Sequence, residues 1–345
     1  MKIIHALWSL GTGGTESMLA DIVNEQVKEH DVYIIIVNDI LSLPILNRIN
    51  PKCKIIRCYR KRGSKSPIPL LKFNYYLWKI HADVIHIHMD NLGKYLWFTH
   101  GAKKVRTIHC AFGTSNDYKH YDRLFSISEG VRQFTLEQGF ESTVIYNGIH
   151  PEQIKFREKS NKIEKITQIV NVGRLQQIKG QQLLIEAAHK LILLGHKNFR
   201  IDLIGDGENR EALEKLIVDY HLERYIRLLG MKSRDFIYKN LCNYDIYVQP
   251  SLSEGFGLTL AEAMAAGVPV ITSDQKGPME VIGYGRFGTI FETNNSDSLA
   301  AVLQDKIMHI NNCCTNGARQ FVIHNFDIKI TANRYIQEYL KILQK

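Results

Sequence analysis

Short apolar runs rich in Ile and Val recur along the chain, and longer stretches in which apolar positions repeat at helical spacing separate them. Alternation of this kind predicts strands of parallel sheet buried on both faces and wrapped by helices. In the first half the predicted strands are Lys2–Leu7, Val32–Val37, Lys54–Cys58, Asp83–His88, Lys104–Ile108, Arg123–Ile127 and Thr143–Tyr146, after which Asn147-Gly148 makes a turn. From His150 to Lys165 the chain is polar and charged without either period, which reads as a linker. The pattern then restarts with strands Thr167–Val172, Arg200–Ile204, Tyr225–Leu229, Asp245–Val248 and Val268–Thr272, and helices from about Lys179, Glu208, Ser233 and Leu258. Two doubly wound domains in series are expected, residues 1–150 and 166–325, joined by 151–165, with a helical tail over 326–345.

Ligands of such sheets bind beyond the carboxyl ends of the strands, so the loops after Leu7, Val172, Ile204, Leu229 and Val248 are where chemistry is expected, between the domains if the two face each other. The first loop reads SLGTGGTES. Gly11, Gly13 and Gly14 let the backbone approach an anion, but Glu16 stands where a dinucleotide fingerprint needs its third glycine, and a plain tight turn is the other reading. After Val172 comes GRLQQIKG. Arg174 can make bidentate contact with a diphosphate and Lys179 can supply a point charge, or both are solvated surface cations. After Val248 comes SEGFGLTLAEAMAAGVPVI, with Glu254 just before a helix start and Glu262 about one turn inside it. The open N–H groups of that start invite a phosphate. Thr259 and Glu262 also have the spacing of a capping box, which would make Glu262 structural.

Among the histidines, His86 and His88 share one strand face and read as buried, hydrogen-bonded groups rather than metal ligands, because no third ligand follows at a telling spacing. His109 ends a strand where the ligand is expected. No acidic pair sits in a loop suited to hold a metal against phosphates, Asp83 and Asp90 being separated by a strand, so chemistry without a metal is expected.

At 345 residues and 45% hydrophobic content the chain is long enough for two cores. No segment approaches the length of apolar chain that spans a bilayer, and MKIIHALWSLGTGG has too short an apolar run for a signal peptide, which predicts a cytoplasmic protein. Cys53, Cys58, Cys110, Cys242, Cys313 and Cys314 form no CxxC pair and read as free thiols. The net charge of +9 is uneven: between Ile40 and Ala82 there is no acidic residue, while Arg48, Lys52, Lys54, Arg57, Arg60, Lys61, Arg62, Lys65, Lys72 and Lys79 are interleaved with Leu70, Leu71, Phe73, Tyr75, Tyr76 and Trp78. Contact with an anionic membrane is the preferred reading of that block. A solvated basic face is the alternative, and nucleic acid is disfavoured because no nucleic-acid-binding motif accompanies the charge.

Together GTGGTE, TIHC, YNGI, NVGRLQQIKG, LIGDGENR, RLLGM and YDIYVQPSLSEGFGLTLAEAMAAGVPVITSD resemble the retaining GT-B-fold glycosyltransferases of family 4, nearly end to end. The most specific feature is the pair of glutamates, Glu254 and Glu262, with seven residues between them. The resemblance implies two Rossmann-like domains facing across a cleft, with the tail 326–345 crossing back to the first. It implies that Arg174 and Lys179 bind the donor diphosphate, that Glu262 accepts from ribose hydroxyls and that Glu254 contacts the sugar. By the same resemblance Gly255, Phe256, Gly257 and Leu258 hold phosphate and sugar through their backbone, Gly13 and Gly14 close the cleft, His109 lies near the transferred sugar, and Gly230 and Met231 lie near the base. The chain departs from the family at GPMEVI, residues 277–282, where a second glycine before the proline is usual, which leaves Glu280 open as a contact.

The expected activity is therefore metal-independent, retaining transfer of a sugar from a nucleotide-diphosphate donor, UDP-linked, to a lipid-linked cell-surface glycan such as capsule or O-antigen. No cofactor is expected, the nucleotide-sugar being a substrate, and the enzyme is expected in the cytoplasm, peripheral on the inner face of the membrane. The rivals are a sugar-nucleotide epimerase or phosphorylase of the same fold, and an inactive nucleotide- or glycan-binding module.

Overall fold

The run Asp31–Asn38 shows in miniature how this chain makes parallel sheet. Ile34 and Ile36 pack into one core cluster while Ile35 and Val37 pack into another, and all four are fully buried. A strand that sheds water on both faces needs no polar alternation. Each such side chain contributes roughly 1.5–3 kcal/mol on leaving water.

In this computed structural model, which describes residues 1–111, 113, 116–157, 166–309 and 315–344, the chain divides into two units. The first takes Met1–Gly148 with Ile328–Lys345, and the second takes Ile149–Asp327. Among the described residues the strands of the first unit are β1 (Lys2–Leu7), β2 (Asp31–Asn38), β3 (Lys54–Arg60), β4 (Val84–Ile87), β5 (Lys103–Ile108), β6 (Arg123–Ser126) and β7 (Thr143–Val144). They form one parallel sheet in the order β3-β2-β1-β4-β5-β6-β7. β7 stops short of the predicted Tyr146 because the Tyr146 carbonyl accepts from the Thr331 hydroxyl at 2.9 Å instead of from a strand.

Strands β8 (Thr167–Val172), β9 (Phe199–Ile204), β10 (Ile226–Gly230), β11 (Ile246–Gln249), β12 (Val270–Ser273) and β13 (Thr289–Phe291) build the second unit, a parallel sheet ordered β10-β9-β8-β11-β12-β13. β13 has no counterpart in the sequence reading: three residues beyond a glycine-rich run carry too little periodicity to declare a strand. Helix Gln181–Leu193 lays Leu184, Ile185, Ala188 and Leu191 over Ile169, Ile201 and Leu203, and helix Ser296–Met308 adds Leu299 and Leu303 to the same core. The latter helix is capped by Asn295, whose side chain accepts from the Asp297 and Ser298 amides.

Residues 151–157, expected within a linker, run along the second unit. Lys155 donates its amide to the Tyr238 carbonyl, and the Arg157 guanidinium reaches the Tyr244 carbonyl at 2.8 Å and Asp245 at 2.5 Å. The rest of that stretch, 158–165, lies outside the described residues, as do Cys313 and Cys314. Cys53, Cys58 and Cys242 are buried free thiols and Cys110 is a half-buried one. Burial pushes the Cys53 thiol up to about 12 and the Cys58 thiol up to about 11. No described helix is long and apolar enough to cross a membrane.

Helix Ile328–Leu343 packs against helix Gly14–Gln26 within the first unit. A chain of buried histidines ties it to the sheet. His86 in β4 has Nδ1 at 2.6 Å from the Tyr339 hydroxyl and Nε2 at 2.7 Å from Thr107 Oγ1, which also meets the Tyr335 hydroxyl at 2.9 Å. His5 in β1 has Nδ1 at 2.9 Å from His88 Nε2 and Nε2 at 2.7 Å from Gln26 Oε1. Nitrogens of His5, His86 and His88 lie within 4.8 Å of one another, a spacing that permits metal ligation. All of them but His88 Nδ1 are already engaged with protein groups, however, so the cluster reads as a hydrogen-bonded core.

Burial holds the His5 imidazole down to about 4 and those of His86 and His88 well below their ordinary value of 6.5. Because these rings are neutral when folded and near 6.5 when unfolded, the unfolded chain binds more protons between those limits. Their stabilisation is complete above pH 6.5 and is lost progressively as pH falls below it, for His5 down to about 4. Urea unfolding at pH 7, 6, 5 and 4.5 is expected to show the first unit weakening steadily, and a flat profile would contradict the neutral cluster.

Candidate functional site

Strand order places the chemistry. In the second sheet the chain runs outward from β8 through β9 to β10 and then restarts on the other side of β8 with β11. A crevice opens at such a reversal, beyond the carboxyl ends of the two central strands. The loop after β8 carries Arg174 and Lys179, and the loop after β11 carries Glu254.

The two loops are sewn together by close backbone approach. The Leu252 amide donates to the Ile178 carbonyl at 2.9 Å. Gly180 has φ +68, and a Cβ there would fall 1.9 Å from the Pro250 carbonyl oxygen. That left-handed residue explains why the predicted helix from Lys179 starts later: Gln177–Lys179 is a tight 3-10 turn, and the α-helix begins at Gln181. The turn aims Lys179 across the crevice, where its Nζ lies 2.7 Å from Glu254 Oε2. At 28% and 20% side-chain exposure the pair is half in water, and it contributes on the order of 1 kcal/mol or less to stability. An ammonium held so weakly remains free to exchange its carboxylate for a stronger anion. Arg174 is exposed, and among the described residues its guanidinium has neither an ion pair nor a hydrogen-bond partner.

Helix Leu258–Ala265 opens on Gly257, at φ +105, with no side-chain cap. The capping-box reading of Glu262 is therefore not what forms. Thr259 instead bonds the Tyr247 hydroxyl at 2.6 Å and the Val172 carbonyl at 3.2 Å, tying the helix to β11 and β8. The Gly257 turn has no room for a Cβ, which would meet Gln249 Nε2 at 2.9 Å. Gln249, itself buried, also reaches Glu254 Oε2 at 3.5 Å and accepts from the Tyr247 hydroxyl at 3.4 Å. Burial, aided by the negative charges of Glu262 and Glu254, drives the Tyr247 phenol well above its ordinary range, so it stays a neutral donor beneath both glutamates. Glu262 is 9% exposed on the same helix. Tyr247 and Gln249 escaped the sequence reading because YDIYVQPS scans as strand, in which an inward polar residue looks like one more alternating position.

The remaining expected residues fall at several depths. Phe256 is buried against Phe326, ring centroids 5.2 Å apart, so only its backbone faces the loop. Gly255 is packed so closely on Gly277 that a Cβ at 277 would meet its carbonyl oxygen at 2.4 Å, which brings the short helix Lys276–Val281, carrying buried Glu280, beside the glycine loop. Gly230 ends β10 at the sheet's outer edge and Met231 follows it, 66% exposed. Gly13, Gly14 and His109 belong to the first unit. Gly13 is the N-cap of helix Gly14–Gln26, without a side-chain bond.

His109 follows β5, half-buried, with its ring 5.8 Å from that of His88 and its Nε2 buried without a hydrogen-bond partner. Burial, then the nearby Arg106 charge, lowers its imidazole to about 4, so it is neutral at pH 7. Arg106 was not foreseen. It is buried in β5, paired with Asp90 and Asp117, and its guanidinium lies 4.8 Å over the Tyr118 ring. Its partners come from two separate loops, which no linear spacing could announce.

Comparison with known proteins bears on the family and the fold. The family described as "Glycosyl transferases group 1" matches residues 152–313, and "Glycosyltransferase Family 4" matches residues 12–153. The chain is 33% identical over 288 residues to the uncharacterised glycosyltransferase MJ1607 of Methanocaldococcus jannaschii, covering 70% of this chain and 69% of that one. It is 25% identical over 327 residues, 85% of this chain and 86% of the relative, to the N-acetylgalactosamine-N,N'-diacetylbacillosaminyl-diphospho-undecaprenol 4-alpha-N-acetylgalactosaminyltransferase of Campylobacter jejuni. Among solved structures, a glycosyltransferase from Rickettsia africae superposes with TM-score 0.82 at 20% identity, covering 100% of this chain and 99% of that one. Anabaena Alr3699/HepE in complex with UDP and glucose superposes with TM-score 0.80 at 20% identity over 99% of each chain, so the fold is shared.

The tight loop contact at Gly180 makes a testable demand. Gly180→Ala is expected to cost about 2 kcal/mol or more, from left-handed strain plus the clash with Pro250. Gly195→Ala, at φ +87 with open space around it, is expected to cost only the strain, about 1 kcal/mol. Urea midpoints of the two variants check this, and equal losses would mean that the loops are not in contact.

Proposed function

The chain belongs to the family 4 glycosyltransferases, and on that premise we propose that it carries a sugar from a UDP-linked donor to a lipid-linked cell-surface glycan. One observation carries the reading: Lys179 meets Glu254 just before an uncapped helix start, with Arg174 exposed on the same loop as Lys179 and Glu262 buried one turn inside that helix.

In sugar transfer the bond from the anomeric carbon to the donor phosphate breaks as the bond to the acceptor oxygen forms, and the departing diphosphate gathers negative charge. Fixed positive charge at that position is the largest help a protein can offer. Arg174 and Lys179 supply it, with the amides around Gly257 as neutral partners. Glu254, released by Lys179, accepts from sugar hydroxyls, and Glu262 accepts from the ribose. His109, neutral at pH 7, contributes a hydrogen bond rather than a charge beside the sugar. No carboxylate nucleophile is invoked: attack on the face the phosphate leaves, with the acceptor proton passing to that phosphate, retains the anomeric configuration. These residues alone offset the charge, so the proposed reaction uses no metal and no cofactor. The lipid-linked acceptor is supported by the diphospho-undecaprenol in the name of the Campylobacter relative, and the UDP donor by the ligand of the Anabaena structure. The enzyme then works in the cytoplasm, peripheral on the inner face of the membrane.

A thermal-shift panel of nucleoside diphosphates and their sugars tests the donor, because a ligand that binds only the folded state raises its melting temperature by mass action. UDP-sugars are expected to give the largest shift. Lys179→Ala is expected to abolish it and to lower turnover by about a hundredfold or more, with chelator leaving the wild-type rate unchanged. A flat panel with folded protein contradicts the reading. Conversion of the donor sugar without acceptor would assign an epimerase, and binding without any turnover would assign an inactive module.

A further inference from the structure

Helix Ile68–Ile80 is apolar on two sides. Phe73, Leu77 and Ile80 are buried in the core of the first unit. On the opposite side Ile68, Leu71, Tyr75 and Trp78 stand 70%, 53%, 49% and 48% exposed, and at helical geometry these four fall within about 80° of one another. Asn74 extends the stripe sideways. Its Nδ2 donates to the Tyr95 carbonyl and its Oδ1 accepts from the Trp97 amide at 2.8 Å, which fixes exposed Trp97 and Phe98 alongside the helix. His100, 6.0 Å from the Trp78 ring, closes the gap between helix and turn. A solvent-facing helix side built of Ile, Leu, Tyr and Trp, with a second Trp and a Phe beside it, is a continuous apolar surface rather than scattered exposure.

Five cations border it. Lys61, Arg62 and Lys65 lie in the loop that leads into the helix, Lys79 stands at its last turn and Lys94 next to Trp97; all are exposed, and among the described residues none is ion-paired. The structure also trims the basic block read from the sequence. Arg48 is paired with Asp21 at 2.7 Å, and Arg60 is bonded to the Ser64 carbonyl at 2.8 Å, so neither belongs to this surface. Aromatic side chains at the level of a lipid headgroup, bordered by exposed cations, match a bilayer that is apolar within and anionic at its surface. Each cation near such a surface adds about 1 kcal/mol of attraction.

We propose that the outer face of helix Ile68–Ile80 with Trp97 and Phe98 is the surface by which this protein docks on an anionic lipid bilayer. Trp78, Phe98 and Leu71 enter the headgroup region, and the five cations meet lipid phosphates. The proposal deepens the lipid-linked acceptor reading and rests on it for its purpose, since docking brings the enzyme to an acceptor confined to the membrane.

The test is co-sedimentation of the full chain, without donor or acceptor, with vesicles of phosphatidylglycerol and phosphatidylcholine or of phosphatidylcholine alone. Binding to the anionic vesicles is expected, falling about tenfold in Trp78→Ala/Phe98→Ala and by a similar factor in Lys61→Glu/Arg62→Glu. Brominated lipid is expected to quench the tryptophan emission of the wild type but not of Trp78→Phe/Trp97→Phe, in which only Trp8 remains. Unchanged partition of Trp78→Ala/Phe98→Ala overturns the proposal, as does failure of the wild type to bind. A dimer that the same variant dissociates would give the face to a second copy instead. The UDP-sugar thermal shift, read on the same proteins, separates the two failures: if it persists without vesicle binding, only the docking surface is wrong, and if it is missing from the wild type, the donor reading fails whatever the vesicles show.

Discussion

The meeting of Lys179 and Glu254 at 2.7 Å is the contact on which the account turns. It joins the two strands whose reversal of order opens a crevice in the second sheet, and both side chains stay half in water. A buried pair would be costly to separate, and a fully solvated one would not be positioned. Half-burial leaves the ammonium aimed yet exchangeable, which suits a group whose partner must change during a reaction. The exposed Arg174 guanidinium, on the same loop as Lys179, adds a charge with no ion-pair partner among the described residues.

Backbone approach makes that pair possible. Gly180 meets the Pro250 carbonyl at a distance that excludes a Cβ, and the Leu252 amide bonds the Ile178 carbonyl. The loops after β8 and β11 can therefore touch through their main chains and leave their polar side chains for the crevice. Below them buried Tyr247 and Gln249 and half-buried Thr259 form a hydrogen-bonded floor that orients the helix start and one oxygen of Glu254. In the first unit the histidines and tyrosines that pin helix Ile328–Leu343 are arranged on the same principle, polar groups satisfied by one another where water cannot reach.

Much of this was legible before the fold was known, for a physical reason in each case. Strands buried on both faces announce themselves as Ile and Val runs, and Arg174, Lys179 and Glu254 stood out because glycines flank them at predicted strand ends. The capping-box spacing of Thr259 and Glu262 misled, because the threonine hydroxyl found the Tyr247 hydroxyl and a strand carbonyl before it found a helix amide. Spacing along the chain also could not show Arg106 between Asp90 and Asp117, nor which half of an apolar helix would face water. Tertiary partners drawn from distant segments decide those questions. The three-residue β13 was missed because its pairing with β12, rather than its own composition, makes it a strand.

A crystal structure with UDP bound tests the central claim most directly. The β-phosphate is expected in direct contact with both the Lys179 ammonium and the Arg174 guanidinium, with Lys179 drawn off Glu254 and the ribose on Glu262. UDP held elsewhere, with the Lys179–Glu254 pair intact, would contradict it.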